Sequence, residues 1–236
     1  MQIKLIAEGS SKWDRFIMRW GVSFLIGEDV LFDTFGDPGV FLNNMRKFNI
    51  DTTKIKHIVL SHDDWDHIAG LWYLIHERKD ITVYICPGFK REIKDSIASF
   101  GVKVVEVGED TLIKDDIYST GELYGESEGR QIYEQSLTVK TANGLLIITG
   151  CAHPGIISIV DNIRKKFNEN IYFVIGGLHL KEKPIAQIEE VISRLKSYSI
   201  EKIAPLHCTG ENAQRLFKKA YGYNYISLKI GATLEL

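Results

Sequence analysis

Apolar positions along the chain fall into short runs separated by amphipathic stretches. QIKLIAEG (2–9), VSFLIG (22–27) and DVLFDT (29–34) are runs broken by glycine and aspartate, and they predict strands. VFLNNMRKFN (40–49) sets Phe41, Met45 and Phe48 close to one helical stripe. IKHIVL (55–60) predicts a strand that runs straight into an acidic stretch. Beyond it, LWYLIHERK (71–79) reads as helix, TVYIC (82–86) as strand, KREIKDSIASF (90–100) as helix and KVVEV (103–107) as strand. SLTVKT (136–141) and GLLIITG (144–150) alternate, and Asn143-Gly144 between them suits a hairpin turn. The last third predicts helix 156–167, strand 172–177, helix 185–198, strand 202–207 and helix 211–222. Strands mixed with helices, with polar residues just past strand ends, predict an α/β fold whose site is assembled from loops at one edge.

Composition narrows the function classes. The chain has 236 residues, 44% hydrophobic and 25% charged, which is ordinary for a globular protein. A formal net charge of −2, with both signs interspersed, gives no basic stripe for nucleic acid. No apolar run approaches a membrane span, and the first residues lack a leader-like core, so the expectation is a cytoplasmic protein with no membrane partner. Three cysteines, Cys86, Cys151 and Cys208, are too few and scattered for a disulfide framework. No repeat or linker divides the chain, and one domain over 1–236 is expected. The sequence carries no reading of oligomeric state.

The chemistry concentrates in SHDDWDH, residues 61–67. Capping of the following helix explains one or two acids. It does not explain the flanking His62 and His67, and an EF-hand is excluded by the missing glycine and terminal glutamate. A metal site is the better account, and two ions are favoured. His62 and Asp64 would share one ion, while Asp66 and His67 turn toward another. Two dications neutralise carboxylates that would otherwise repel, and they make a bridging water acidic. Further ligands must come from elsewhere. His57 lies inside a strand and His76 on a helix surface, whereas His153, His179 and His207 each follow an apolar run.

SHDDWDHIAGL resembles the S-H-x-H-x-D-H-x-x-G signature of the metallo-β-lactamase superfamily. The stretches WGVSFLIGEDVLFDTFG, ITGCAHPGI, VIGGLHL, PLHCTG and IGATLEL together resemble its branch around a dihydropterin-methyl-ribofuranosylaminobenzene-phosphate synthase (dihydropteroate-synthase-like). The resemblance implies an αββα sandwich of two mixed sheets flanked by helices, with a dinuclear metal site at its edge. It implies that His62, Asp66, His67 and His207 are ligands, with His153 the candidate for the remaining position on the first metal.

Two residues depart from that pattern. Asp64 stands where a second histidine is usual, and Cys151 stands where many members have a bridging aspartate. Cys151 is then a bridge, a ligand or a buried thiol, with Glu134 and His179 as alternatives for metal or substrate. Zinc is expected, with iron or manganese admitted by the harder Asp64. The expected activity is hydrolysis, or a related transfer, of a small substrate, with phosphorylated and pterin-like compounds as the candidates and Asp66 orienting the attacking hydroxide. A di-iron oxidoreductase resembling the flavodiiron core is one alternative, and a metal-binding sensor without turnover is another. Trp65 is expected at the mouth of the site, with Tyr73 and Trp72 in the core. Residues 119–134 and GSSKWDR (9–15) are expected as loops near the entrance. Arg130 and Lys181 are the candidate cations for a substrate phosphate.

Overall fold

The computed structural model describes residues 1–76 and 78–236. Two mixed sheets pack face to face, and helices cover both outer surfaces. The first sheet contains β1 (Gln2–Gly9), β2 (Gly21–Ile26), β3 (Val30–Phe32), β4 (His57–Val59), β5 (Thr82–Ile85) and β6 (Lys103–Glu106). Its other edge, beyond β1, is closed by the last strand, β15 (Thr233–Glu235). The second sheet runs in the order β14 (Lys202–Leu206), β13 (Ile171–Gly177), β12 (Gly144–Thr149), β11 (Leu137–Thr141), β8 (Ile117–Ser119) and β7 (Thr111–Lys114). A separate hairpin pairs β9 (Leu123–Ser127) with β10 (Arg130–Glu134).

Period-two alternation sorts each strand between two cores. Val22, Phe24 and Ile26 of β2 face Leu146 and Ile148 of β12 across the inter-sheet layer. Leu25 points instead into the outer layer of the first sheet, and Leu145 and Ile147 into that of the second. The strands are apolar on both faces because both faces are covered.

Helices α2 (Pro38–Lys47), α3 (Trp65–Ile68), α4 (Leu71–Ile75) and α5 (Arg91–Ser99) contribute to the first outer layer. Helix α2 starts where Asp37 accepts the Val40 N–H and Pro38 fits the first turn, and it buries Phe41 and Met45. Helices α6 (Ile156–Lys166), α7 (Ile185–Ser197) and α8 (Glu211–Tyr221) cover the second sheet. Helix α6 buries Ile156, Ile159, Val160 and Ile163, the stripe expected from its 3.6-residue period.

Strands β3 to β6 are parallel, and so are β12 to β14. Their C-terminal ends deliver the loops that carry His62, Cys151, His153, His179 and His207. In an open parallel sheet this edge is where ligands bind, because successive loops converge there.

Several expectations change. Residues 119–134 hold the β9–β10 hairpin rather than a loop. Its turn, Glu128-Gly129, has positive φ at both residues (51° and 73°), the geometry of a type I′ turn. Within GSSKWDR, residues Lys12–Phe16 form the short helix α1, capped by Ser11 and Asp14 reciprocally. The helix expected over 71–79 ends at Ile75, and its Glu77 lies outside the described residues. Tyr73 is 62% exposed rather than in the core, while Trp72 is half-buried against Phe100. No helix of the described residues is long and apolar enough to cross a membrane.

Candidate metal centre

The stretch after β4 folds so that its polar residues separate by direction. His62 follows the strand end and is buried. Asp64 occupies the N-cap position of the single-turn helix α3, and Asp66 and His67 in that turn point inward. Trp65 points the other way and remains 38% exposed. Gly36 makes room for it, since a Cβ there would lie 2.4 Å from the Trp65 ring.

Four imidazoles are oriented in the same manner. Nδ1 of His62 lies 2.8 Å from the Ser61 hydroxyl, and Nδ1 of His67 lies 2.7 Å from Asp33 Oδ2. Nδ1 of His153 lies 2.8 Å from Glu134 Oε2, and Nδ1 of His207 lies 2.8 Å from the Gly9 carbonyl, to which it donates. Each ring is held from behind by its Nδ1, which leaves Nε2 facing the centre. This is how metal-ligating histidines are positioned. The Nε2 atoms of His62 and His207, and Nδ1 of His179, are buried without a hydrogen-bond partner. Orphaned buried nitrogens are costly, and a cation would satisfy them.

Cys151 sits among these nitrogens, 3.4 Å from His67 Nε2. One donor atom from each of His62, Cys151 and His153 falls within 4.8 Å of the others. The same holds for His67, Cys151 and His207, and for Cys151, His179 and Cys208. Asp66 Oδ2 lies 3.2 Å from His67 Nε2 and 3.4 Å from His207 Nε2. Asp64 Oδ2 is 3.8 Å from His62 Nε2, and Asp64 Oδ1 also lies 3.2 Å from the Arg130 guanidinium. The donor set of imidazole, carboxylate and thiolate fits divalent metal ions.

The metal-free electrostatics show protons standing where cations would. Burial and the nearby charge of His67 hold His62 well below the usual imidazole range, leaving the neutral form that ligates. Burial opposes protonation of His67 too, but Asp66 and Asp33 on its two sides outweigh it and hold the ring charged. Burial works against ionisation of Asp66, yet the charge of His67 and the close approach of the His207 and His67 imidazoles pull its carboxyl well below the usual range. Burial pushes the Cys151 thiol up. For Cys208, burial is outweighed by the hydrogen bond from Cys151 and by His207 and His179, so its thiol is the more acidic of the pair.

The structure brings His62, Asp66, His67, Cys151, His153, His179 and His207 to one place, with Asp64 at its rim. Glu134 lies behind them. Its two oxygens accept the backbone N–H groups of Cys151, Ala152 and His153 and pair with His153 Nδ1, so it orients this loop instead of facing the centre. Arg130 and Lys181 line a cavity of about 820 Å³ above the centre, together with Trp65, Arg15 and Lys90. Lys181 Nζ stands 4.1 Å over the Trp20 ring, which itself packs on His207.

Sequence reading missed Asp33, Ser61, Trp20 and Cys208. Asp33 sits at the end of DVLFDT, and a carboxylate closing an apolar strand was the available signal. It is fully buried and bonds Ser61 N–H, Ser61 Oγ and His67. Cys208 was passed over because a lone cysteine next to a histidine is common in cores.

Comparison with known proteins agrees with this fold. The metallo-beta-lactamase superfamily profile matches residues 21–180. A 7,8-dihydropterin-6-methyl-4-(beta-D-ribofuranosyl)-aminobenzene-5'-phosphate synthase of Methanocaldococcus jannaschii is 29% identical, covering 93% of this chain and 91% of its own. An uncharacterised protein of the same organism is 31% identical over 99% of this chain and 100% of its own. Among solved structures, a metal-dependent hydrolase of the beta-lactamase superfamily superposes with a TM-score of 0.81 at 28% identity, covering 100% of this chain and 99% of that one. The profile match, which spans more than half of the chain, places this chain in the metallo-beta-lactamase superfamily.

Proposed function

We propose that the protein is a metal-dependent hydrolase, or a transferase of related chemistry, that uses two divalent cations on a small phosphorylated or pterin-like substrate. The observation that carries this reading is the convergence of four imidazoles, each fixed through Nδ1, on Cys151 and Asp66 beneath a cavity of about 820 Å³. A cavity of that volume suits a small organic ligand. His62 and His153 with Asp64 would hold one cation, and Asp66, His67 and His207 the other, with Cys151 between them. Such cations supply Lewis acidity and bring the pKa of a water down toward neutrality. Imidazole and thiolate donors support zinc or iron over manganese.

The chain's own residues do the rest. Asp66, whose carboxyl is held well below the usual range, is a poor base and a good hydrogen-bond acceptor, so it orients the attacking water. Arg130 and Lys181, which both line the cavity, meet an anionic group of the substrate. The exposed face of Trp65 offers a stacking surface to a flat heterocycle. The name of the synthase relative, which includes a pterin and a ribose phosphate, supports this choice of substrate class.

The test is turnover by zinc-, manganese- and iron-loaded protein on chromogenic phosphodiesters, phosphomonoesters and lactones. Arg130→Ala is expected to lower kcat/KM selectively for phosphorylated substrates, by about tenfold to a hundredfold for a lost charged contact. An equal loss on uncharged lactones removes the phosphate assignment. Metal-loaded protein with no turnover on any substrate class removes the hydrolase reading.

A further inference from the structure

Cys208 is used by neither group of ligands above. Its Sγ accepts the His179 backbone N–H at 3.4 Å and lies 3.5 Å from the Cys151 carbonyl. Cys151, His179 and Cys208 each offer one donor atom within 4.8 Å of the other two. They come from three different loops, after β12, β13 and β14. His179 Nδ1 is buried with no hydrogen-bond partner. Both thiols are free and buried.

The backbone is strained to make the meeting. Ala152, next to Cys151, has φ 60°; His179 has φ 49°; His207, next to Cys208, has φ 50°. Non-glycine residues are disfavoured in this region, and they persist where the surroundings demand them. Gly177 completes the arrangement. A Cβ there would lie 2.7 Å from Cys208 Sγ and 3.2 Å from the Cys151 Cα, so only glycine lets the β13 and β14 ends approach the thiol pair.

His62, Asp64 and His153 form one set of donors, and Asp66, His67 and His207 a second. Cys151, which lies against both sets, also groups with His179 and Cys208, which neither set uses. Three protein donors with one open position is the make-up of an exchangeable zinc site. We infer that Cys151, His179 and Cys208 form a third, thiolate-rich cation position beside the two-metal centre. Its soft donors select a thiophilic divalent ion, zinc or ferrous iron, over magnesium or manganese. On binding, each thiol releases its proton to solvent as its sulfur–metal bond forms, and no electrons are transferred. The inference goes beyond the proposed activity, which uses neither His179 nor Cys208.

Metal content and cobalt spectroscopy test it. Protein kept reduced and anaerobic is stripped with a chelator, reloaded with zinc, freed of excess metal and counted by elemental mass spectrometry. Wild type is expected to retain three zinc ions per chain, and Cys208→Ser and His179→Ala two each. With Co²⁺ in place of zinc, near-ultraviolet thiolate-to-cobalt absorption should fall to a single-thiolate intensity in Cys208→Ser. Asp66→Asn, in the second set, should lose one zinc and keep both thiolate transitions, which separates failure of the two-metal reading from failure of this one. A wild-type content of two that Cys208→Ser leaves unchanged overturns the third position. Cobalt absorption unaffected by Cys208→Ser overturns it equally.

Discussion

Asp33 Oδ2 and His67 Nδ1 lie 2.7 Å apart, both fully buried, and link the end of β3 to the helix turn after β4. Complete burial pushes the Asp33 carboxyl up, and the pair resolves this by sharing the Nδ1 proton, with His67 carrying it. Asp33→Ala should therefore free the His67 ring. Outer-shell partners of this kind are worth about 10–100-fold in metal affinity. Zinc affinity measured against a competing chelator should fall by that amount, and an unchanged affinity contradicts the role given to Asp33.

Metal binding should release protons. His67 is held charged in the metal-free protein, and ligation requires its Nε2 to be deprotonated. Because the His67 pKa is raised, zinc affinity should increase with pH through the neutral range. Calorimetry at one pH in buffers of different ionisation enthalpy counts the protons directly. Zero release would rule out a charged His67.

Removing metal should lower thermal stability. A ligand present at about 100 times its Kd contributes about 2.7 kcal/mol. For a chain of this size each kcal/mol moves Tm by about 2–4 °C, so a drop of about 5–10 °C on chelation is expected. Scanning fluorimetry with and without chelator reads it, and a coincident pair of curves would show that no structural metal had been bound.

Glu134 ties acid stability to the loop carrying Cys151 and His153. Burial opposes its ionisation, but the hydrogen bond and charge of His153 outweigh that and hold its carboxyl far below the ordinary 4.5. Its folded-state pKa lies below its unfolded one, so the stabilisation is complete above pH 4.5 and is lost as pH falls toward the folded-state value. Glu134→Gln should cost about 1–3 kcal/mol at pH 7 in metal-free protein. Denaturant titrations should show the gap to wild type shrinking below pH 4.5, and a constant gap would contradict the assignment.

Asp64 stands 3.8 Å from His62 Nε2, and its other oxygen faces Arg130. Asp64→His should tighten zinc binding at the first position, since imidazole replaces a carboxylate shared with a guanidinium. No gain in zinc affinity would show that Asp64 does not weaken the site.

The layered fold was legible because it is encoded by period. The unbroken apolar run in GLLIITG and the four-residue stripe in IISIVDNIRKK report burial on local geometry alone, and both elements are present. The hairpin of β9 and β10 was not legible. Gly125, Ile132 and Glu134 are its buried residues, and Gly125 is there because a Cβ would lie 2.4 Å from the His153 carbonyl carbon. A strand that uses glycine where alternation expects a large apolar residue leaves no periodic trace. Tyr73 misled for the complementary reason, an apolar ring in a helical pattern that solvent covers.

By itself the sequence determined that SHDDWDH and three strand-end histidines are candidate metal ligands, because residue type and strand-end position follow from local pattern. Tertiary structure decided how they are used. It put Glu134 behind His153, Asp33 behind His67, and Cys208 beside Cys151, pairs separated by 19, 34 and 57 positions in the chain. Those relations depend on which strand ends meet across two sheets. Contacts so distant in sequence are fixed by sheet order and packing, which no local window of residues contains.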